Sequence, residues 1–447
     1  MVNYEIKPTF ENLRNSILKD MVGRNEEIAR FIEILDTINN NVSIALDDTW
    51  GNGKTFFVKQ TQLVIQSYDP SEEKLDDIKQ YMKKYFKAYK PKKYLPIYYD
   101  AWSNDNDTDP ILSIIFNMLK NINTLIEYDV VDESWWDRIT NSLELISTTF
   151  GGPRIKNLLD SIKGKDILEE IKKSKEADQI LNDLFDIVLE KYPDTRIVFF
   201  IDELDRCCPN FAVRLLERIK HYFLHDKVIF VISVNSSELQ HTIKRHYGND
   251  FNANKYLQRF FDFIIPLPPM NIQKYYETIQ FSDDTARYSI AKLIMDYYHF
   301  SLRDRIKYLQ YLKSAITKDN EKIFNKIRFY REIIAPFLIG LKINDSKQYM
   351  EFIQGENISY FINIMEYSDH CDYYCSILLK GNETFEENNS NYKTLVSLKE
   401  RFKIIYECVF SNNINSPSES IDIGRLENIS PKDKKFIMEM MSFMQTK

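Results

Sequence analysis

Runs of consecutive apolar residues, rather than an alternation of apolar and polar ones, mark the strands of this chain. Two of these runs lie within 196–203 and 228–234 and are rich in β-branched and aromatic residues, which is typical of central parallel strands covered on both faces. Between the runs, apolar residues recur at helical spacing, so helices separate the strands. The pattern predicts an α/β fold with a parallel sheet. The five predicted strands are 42–46, 94–100, 196–203, 228–234 and 263–267.

Apolar residues at helical spacing dominate two parts of the chain outside the predicted strands. Residues 103–195 interrupt the strands with amphipathic segments, and beyond residue 270 the strand signals fade. We expect an α/β domain at 1–270 with a helical insertion at about 103–195. A helical segment at 271–345 and a C-terminal helical region at 346–447 should follow it.

A glycine-bearing loop follows the first strand directly. Residues 48–55 read Asp-Thr-Trp-Gly-Asn-Gly-Lys-Thr, and a helix begins at the Lys-Thr pair. Such a loop surrounds a polyphosphate with backbone N–H groups and a helix N-terminus. Lys54 would meet the β- and γ-phosphates, and the hydroxyl of Thr55 would hold Mg²⁺. Because Asp48 stands where the motif G-x-x-x-x-G-K-[ST] has its first glycine, the loop alone indicates nucleotide binding only.

Polar residues end the third and fourth strands, at the edge where open α/β sheets bind ligands. Asp202 would hold Mg²⁺ through water, and Glu203 would polarise the attacking water. The alternative for this pair is an acidic turn that caps the next helix. Asn235 could orient the water or contact the γ-phosphate, and it could also cap the helix that begins at Ser236.

Three further residues have both a functional and a structural interpretation. Arg259, just before the last strand, could reach the nucleotide of a neighbouring subunit or form a local salt bridge. Arg303, in the first turn of a helix, could reach back to the phosphates or lie on the surface. Gly23, in a Gly-Arg turn, could line an adenine pocket or simply open a helix.

Three other segments contain residue types that often bind ligands, and we interpret each segment as structural. The basic, tyrosine-rich segment 79–94 could bind single strands, but a solvated helix whose tyrosines contact the body is more common. The tryptophan pair 135–136 could rest on a membrane surface, but such a pair is more often buried. His370, Cys371 and Cys375 lack a second ligand pair at finger-like spacing, so we expect ordinary helix packing there.

Composition excludes several classes of protein. The net charge of −7 argues against nucleic-acid binding over the whole surface, and 44% hydrophobic residues argue against a disordered chain. The five cysteines have no framework spacing, which favours a reduced, intracellular setting. The N-terminus lacks a signal-peptide pattern, and the longest apolar runs, such as 333–341, are shorter than the ~20 residues of a spanning helix. We therefore expect a soluble, cytoplasmic protein without a membrane span.

The combination of motifs resembles the KAP family of P-loop NTPases, in a soluble, bacterial-type form. The tryptophan inside the loop and the string Asp-Glu-Leu-Asp-Arg-Cys are the specific features, because generic P-loop proteins lack them. The resemblance covers roughly residues 20–345. The matching segments are 46–57, 100–102, 200–207 and 256–261.

This resemblance implies the additional-strand-catalytic-glutamate division of P-loop proteins, which is related to AAA+ ATPases. It implies a parallel sheet of order 5-1-4-3-2 and makes 271–345 a helical lid. By the same resemblance Asp202 is the Walker B aspartate, and Glu203 is the catalytic base. Asn235 takes the sensor position, and Arg259 takes the finger position.

The expected ligands are ATP and Mg²⁺. The metal ion would be held by Thr55 and Asp202. ATP is favoured over GTP because no Asn-Lys-x-Asp base-reading motif follows a late strand. The residues expected to bind the nucleotide are Gly23, Trp50, Gly51, Asn52, Gly53, Lys54, Thr55, Phe56 and the lid arginine Arg303.

The leading hypothesis is an Mg²⁺-dependent ATPase that drives a conformational or oligomeric switch. The alternative is a nucleotide-stabilised scaffold that binds partners with little turnover, and Glu203 and Arg259 argue against it. The resemblance also implies a homo-oligomer with nucleotide at its subunit interfaces, a separately encoded effector, and a role in defence against phages or plasmids. Many family members carry transmembrane helices between the P-loop and the Asp-Glu strand, whereas 103–195 holds only amphipathic segments.

Overall fold

The structure is a computed structural model that describes most of the chain in two compact units. One unit comprises residues 7–275, and the other comprises residues 276–447 together with the N-terminal residues 1–6. The cluster of His370, Cys371 and Cys375 lies outside the described residues, as do parts of the predicted helical insertion. The described residues are 6–87, 89–107, 109–126, 133–150, 177–282, 285–315, 325–367, 391–411, 420–423 and 426–442.

A five-stranded parallel sheet forms the centre of the first unit, and its strand order is β2-β3-β4-β1-β5. This order confirms the predicted 5-1-4-3-2 topology. All residues of β4 are buried, and so are nearly all of β3, which explains why these two strands read as continuous apolar runs. The strands are β1 (Val42–Asp47), β2 (Lys93–Asp100), β3 (Thr195–Asp202), β4 (Val228–Val234) and β5 (Phe263–Pro266).

Helices cover both faces of this sheet. Alternate side chains of β3 enter two separate cores, since Phe199 joins the core on one face and Phe200 joins the core on the other. The helices are α1 (Phe10–Lys19), α2 (Asn25–Thr37), α3 (Lys54–Gln66), α4 (Asp76–Phe86), α5 (Pro110–Ile126), α6 (Glu133–Phe150), α7 (Ala177–Leu189), α8 (Pro209–Tyr222), α9 (Ser236–Tyr247), α10 (Ala253–Leu257) and, across the unit boundary, α11 (Ile272–Thr278). Residues of α1–α4 line the Phe200 side, and residues of α5–α9 line the Phe199 side.

The edge strand β5 differs from the other strands. Phe263 and Ile264 are each 54% exposed, although their sequence reads as apolar as the central runs. The strand pairs only with β1 among the described residues, so its position at the sheet edge, rather than its composition, sets its exposure.

Two of the aromatic segments contact the body of the first unit. The buried carboxylate of Asp36 accepts hydrogen bonds of 2.6 Å from the hydroxyls of both Tyr89 and Tyr94. The ring nitrogen of Trp135 donates a 2.7 Å hydrogen bond to the carbonyl oxygen of Ile187, and Trp135 is buried. At these residues the structural interpretations therefore hold.

The second unit is mainly helical. It also contains an antiparallel pair of strands, β6 (Ile421–Ile423) and β7 (Leu426–Ile429), which the sequence analysis did not predict because segments this short show no period. None of its described helices, nor of those in the first unit, is long and apolar enough to cross a membrane. The helices are α12 (Ala286–Tyr297), α13 (Leu302–Ser314), α14 (Asn325–Phe329), α15 (Ala335–Asn344), α16 (Ser346–Ile353), α17 (Ser359–Tyr367), α18 (Asn391–Val409) and α19 (Asp433–Met440), with a π-helical turn at Tyr330–Ile334.

Candidate nucleotide-binding site

The loop between β1 and α3 has the backbone of a phosphate-binding loop. Gly51 and Gly53 adopt φ angles of +94° and +86°, and these are the only positive φ angles between residues 48 and 53. Gly53 lies immediately before the first turn of α3. Glycine is therefore required at these two positions, where a side chain would be strained, but not at position 48. This explains how Asp48 can replace the first glycine of the motif.

The side chain of Asp48 also holds the loop together. Its Oδ1 atom accepts hydrogen bonds from the backbone N–H of Thr49 at 2.6 Å and from Nδ2 of Asn52 at 2.9 Å. The loop thereby closes on itself through a side chain that glycine does not have. Asp48 therefore has a structural role that the sequence motif does not indicate.

Lys54 curls back over this loop from the start of α3. Its Nζ atom donates hydrogen bonds to the carbonyl oxygens of Asp48 at 2.5 Å and Thr49 at 3.0 Å. An ammonium group has three donors, so within the described residues one donor remains for a phosphate oxygen. Burial lowers the pKa of Lys54, and the carboxylates around it oppose this effect, Asp205 most strongly. The ammonium group of Lys54 therefore lies at the loop with one N–H group available to a phosphate oxygen.

The Gly-Arg turn packs against the same loop. Gly23 adopts a φ angle of +67°, and a Cβ atom there would lie 2.7 Å from Cβ of Asn271. The next residue, Arg24, is buried, and its Nη1 atom donates a 3.1 Å hydrogen bond to the carbonyl oxygen of Asn52. Burial lowers the pKa of Arg24 to about 10, against the attraction of Asp48. The sequence pattern indicates Gly23 but not the contact of Arg24 with Asn52, because Arg24 and Asn52 lie 28 residues apart.

The carboxyl end of β3 brings two carboxylates to the loop. The Oδ2 atom of the buried Asp202 accepts a 3.1 Å hydrogen bond from the hydroxyl of Tyr98, and its Oδ1 atom accepts one of 3.0 Å from the backbone N–H of Glu203. The hydroxyl of Thr55 lies 3.4 Å from Oε1 of Glu203. The structure therefore brings the loop threonine and the predicted base together, although 148 residues separate them.

Glu203 occupies an unusual backbone conformation. Its φ angle is +62°, in the left-handed region that few residues other than glycine adopt, and such conformations cluster at functional sites. Its carboxylate forms an ion pair with Nε of Arg206. Burial raises the pKa of Glu203, the charge of Asp202 raises it further, and Arg206 acts in the opposite direction. A carboxylate with a raised pKa can accept a proton from water through an oxygen that lies outside the ion pair.

Trp50 connects the loop to the segment that follows β3. Its indole N–H donates to Oδ2 of the buried Asp205, while Trp50 as a whole residue is 42% exposed. Burial raises the pKa of Asp205, and the hydrogen bonds from Trp50 and from the backbone N–H of Asn235 lower it. Asp205 therefore contacts both the loop and the end of β4. Asp205 belongs to the string Asp-Glu-Leu-Asp-Arg-Cys, but the sequence does not indicate its contact with Trp50, because the two residues lie 155 positions apart.

Asn235 lies at the end of β4, directly before α9. Its Oδ1 atom accepts hydrogen bonds from the hydroxyl of Ser237 at 2.7 Å and from the backbone N–H of Glu238 at 3.4 Å, so the helix-capping role is present. The backbone N–H of Asp48 donates a 3.2 Å hydrogen bond to the carbonyl oxygen of Val234, which places this strand end beside the loop. The sensor role of Asn235 remains a prediction.

The remaining predicted residues lie at the margins of the loop or beyond it. Phe56 packs, partly buried, against the core under α3. Arg259 is exposed after α10 and has no ion-pair partner among the described residues, so the local salt bridge is not observed there. Arg303 is exposed in the first turn of α13, in the second unit. Two positions later Arg305 is buried, and its Nη1 atom contacts Tyr276 and Asp296.

The donor set at the end of β3 suits a magnesium ion. The hydroxyl of Thr55 and the carboxylates of Asp202 and Glu203 are hard oxygen donors, the class that Mg²⁺ prefers. Mg²⁺ needs few protein ligands when the phosphates of a nucleotide and water supply the others. The residues present therefore fit the ion.

The comparisons with known proteins agree with this geometry. Residues 24–282 match the family described as the KAP family P-loop domain, which is more than half of the chain. No curated protein matches the chain. The matched region contains the loop, both carboxylates, Asn235 and Arg259, whereas Arg303 lies beyond it. The chain belongs to the KAP family of P-loop NTPases, a family that indicates nucleotide binding and NTPase activity.

Proposed function

We propose that this protein is an Mg²⁺-dependent ATPase whose cycle of binding and hydrolysis drives a conformational or oligomeric switch. The observation that carries the proposal is the 3.4 Å approach of the Thr55 hydroxyl to the Glu203 carboxylate. It unites a phosphate-binding loop at the end of β1 with a base at the end of β3 in the same sheet. A site that only bound nucleotide would not need the second group.

The residues of the loop would bind the triphosphate. The third N–H donor of Lys54 would meet the β- and γ-phosphates, while the backbone N–H groups from Trp50 to Thr55 and the N-terminus of α3 surround them. Gly23 and Arg24 would lie towards the base of the nucleotide, and Phe56 would support the loop from α3. ATP rather than GTP follows from the absence of a guanine-reading motif in the sequence.

The residues after β3 would carry the chemistry. Thr55 and Asp202 would hold Mg²⁺, which when bound supplies positive charge opposite the transferred phosphoryl group. Glu203 would accept a proton from the attacking water through Oε1, the carboxylate oxygen that faces Thr55 and lies outside the ion pair with Arg206. Asn235 would orient that water, because its amide group lies at the adjacent strand end.

Arg259 and Arg303 would complete the site from outside the loop. The exposure of Arg259, without an ion-pair partner among the described residues, suits a finger that enters the nucleotide site of a second copy. We therefore propose a homo-oligomer with nucleotide at its subunit interfaces. Arg303 would act as a lid arginine, and a separately encoded effector and a role in defence against phages or plasmids follow from the family resemblance.

Two variants test the enzymatic proposal. Lys54→Ala should abolish both ATP binding and turnover, whereas Glu203→Gln should abolish turnover and keep ATP binding, because only the second residue acts at the water. Binding of ATP with Mg²⁺ by calorimetry and release of phosphate check the two outcomes separately. Turnover by both purified variants at the wild-type rate would contradict the ATPase. Tight binding by wild type without turnover would instead support the nucleotide-stabilised scaffold.

A further inference from the structure

The loop that follows β2 packs against the segment that carries Glu203, and the proposed chemistry does not use this contact. The backbone N–H of Ala101 donates a 3.0 Å hydrogen bond to the carbonyl oxygen of Asp202. The backbone N–H of Cys208 donates one of 3.0 Å to Oδ2 of Asp105. These two bonds hold Trp102, which lies between Ala101 and Asp105, next to the segment 202–208.

Trp102 contacts one residue of that segment in particular. The guanidinium carbon of Arg206 lies 5.5 Å from the centre of the Trp102 ring, within the range of a cation–π interaction. The Nε atom of the same guanidinium forms the ion pair with Oε2 of Glu203. Trp102, Arg206 and Glu203 therefore form a chain of contacts that ends at the proposed base.

We propose that Trp102 and Arg206 are positioning residues that hold the carboxylate of Glu203 in the orientation needed for proton transfer. The inference rests on the proposed function of Glu203. A glutamate side chain has three rotatable bonds, and an ion pair at one carboxylate oxygen removes most of this freedom. Arg206 binds Oε2, so Oε1 is directed towards Thr55 and the water.

The contact between Trp102 and Arg206 strengthens the restraint that Arg206 places on the carboxylate of Glu203. An isolated arginine at a surface samples many rotamers, and an exposed ion pair alone restrains it weakly. The ring of Trp102 fixes the plane of the guanidinium, and Trp102 can do so because the backbone bonds at Ala101 and Cys208 fix its loop. This accounts for a tryptophan that is 51% exposed beside the site.

Arg206 also acts on the charge of the base. Among the groups that face Glu203, the carboxylates raise its pKa, and Arg206 lowers it. The charged groups facing Glu203 are Asp202, Arg206, Asp205, Asp100 and Lys54.

The test measures steady-state hydrolysis of ATP with Mg²⁺ by the full chain. Arg206→Met and Trp102→Ala should each lower kcat roughly tenfold or more, since misplacement of a catalytic group by about 1 Å costs up to ~100-fold. The Kd for ATP should stay within about twofold of wild type. Trp102→Phe, which keeps an aromatic ring, and Arg206→Lys, which keeps the charge, should retain part of the rate.

Double variants separate positioning from a structural effect. On the Arg206→Met background, Trp102→Ala should lower kcat no further, because it acts through the residue already removed. On the Glu203→Gln background, where turnover is already abolished, Arg206→Met should leave the Kd for ATP unchanged. The matched control is Arg138→Met, which breaks an exposed Arg–Glu ion pair of the first unit, with Glu190, and should keep the wild-type kcat.

Each outcome bears on one of the two proposals. An unchanged kcat in Arg206→Met would overturn the positioning role while the ATPase stands, and so would a higher kcat, which is expected if the ion pair with Arg206 keeps Glu203 from acting as a base. Additive losses in the double variants would overturn it as well. If Arg206→Met loses its cooperative thermal transition, the kcat values of Trp102→Ala and Arg206→Lys, each compared with its Kd for ATP, decide the positioning role. A wild-type protein without turnover would contradict the ATPase itself, and the positioning role with it.

Discussion

The indole N–H of Trp50 donates a hydrogen bond to the carboxylate of Asp205, which joins the phosphate-binding loop to the segment after β3. The acceptor is buried, and the hydrogen bond from Trp50 counteracts the rise in its pKa that burial causes. The tryptophan that distinguishes this loop from generic P-loops therefore acts through its nitrogen. Trp50 as a whole residue remains 42% exposed.

A double-mutant cycle at this pair should reveal strong coupling. Trp50→Phe removes the donor, and Asp205→Asn removes the charge of the acceptor. Hydrogen bonds to charged groups contribute about 1.5–3 kcal/mol, so the two changes in the free energy of unfolding should be non-additive by about 1 kcal/mol or more. Urea denaturation of the four proteins measures this coupling. Additive effects would mean that the bond contributes nothing to stability.

Restoring the glycine of the motif should weaken the site rather than improve it. Asp48→Gly removes the acceptor of the bonds from Thr49 and Asn52 and frees the loop backbone. Asp48→Asn keeps an Oδ1 acceptor and removes a negative charge near the phosphates. We expect several-fold weaker ATP binding in the first variant, and binding as tight as in wild type or tighter in the second. Calorimetric titration with Mg²⁺ and ATP measures both, and tighter binding by Asp48→Gly would contradict this role of Asp48.

The charged carboxylate of Glu203, the proposed base, should reduce the free energy of unfolding of the nucleotide-free protein at neutral pH. Because the folded state raises the pKa of Glu203, it favours the protonated carboxyl. The stability contributed by the protonated carboxyl is fully present below the pKa of a glutamate in the unfolded chain, about 4.3. It is lost as the pH rises through the pKa of Glu203 in the folded protein. Glu203→Gln should therefore raise the free energy of unfolding at pH 7, and the gain should disappear towards pH ~4. Thermal unfolding across this range checks the sign.

Arg259 should act on the nucleotide of another copy. Loss of a finger arginine lowers turnover by about 10³-fold or more, whereas truncation of an exposed side chain should leave the thermal unfolding transition unchanged. Arg259→Ala keeps an intact loop, and Lys54→Ala keeps an intact finger. A mixture of the two inactive variants should therefore recover part of the turnover if Arg259 acts in trans. Arg245→Ala, an exposed arginine of α9, is the control.

The mixture also separates two arrangements of the finger. Recovery that increases with total protein concentration supports a homo-oligomer with shared sites. No recovery at any concentration, together with a wild-type rate that is independent of concentration, would place Arg259 in its own subunit's site or outside the chemistry.

The sequence by itself determined the sheet and the position of the loop. Strands covered on both faces read as apolar runs, and glycines at positive φ are demanded by local sterics, so both features are visible residue by residue. The order of the strands followed from the family resemblance and is confirmed.

Only the tertiary structure decided which side chains meet. Trp50 and Asp205 are 155 residues apart, and Thr55 and Glu203 are 148 apart, so no local pattern reports their contact. The same holds for the cation–π contact between Arg206 and Trp102. These contacts depend on distances of a few ångströms between loops that follow different strands of one sheet. Such distances are set by the packing of the whole sheet and its helices rather than by either segment alone.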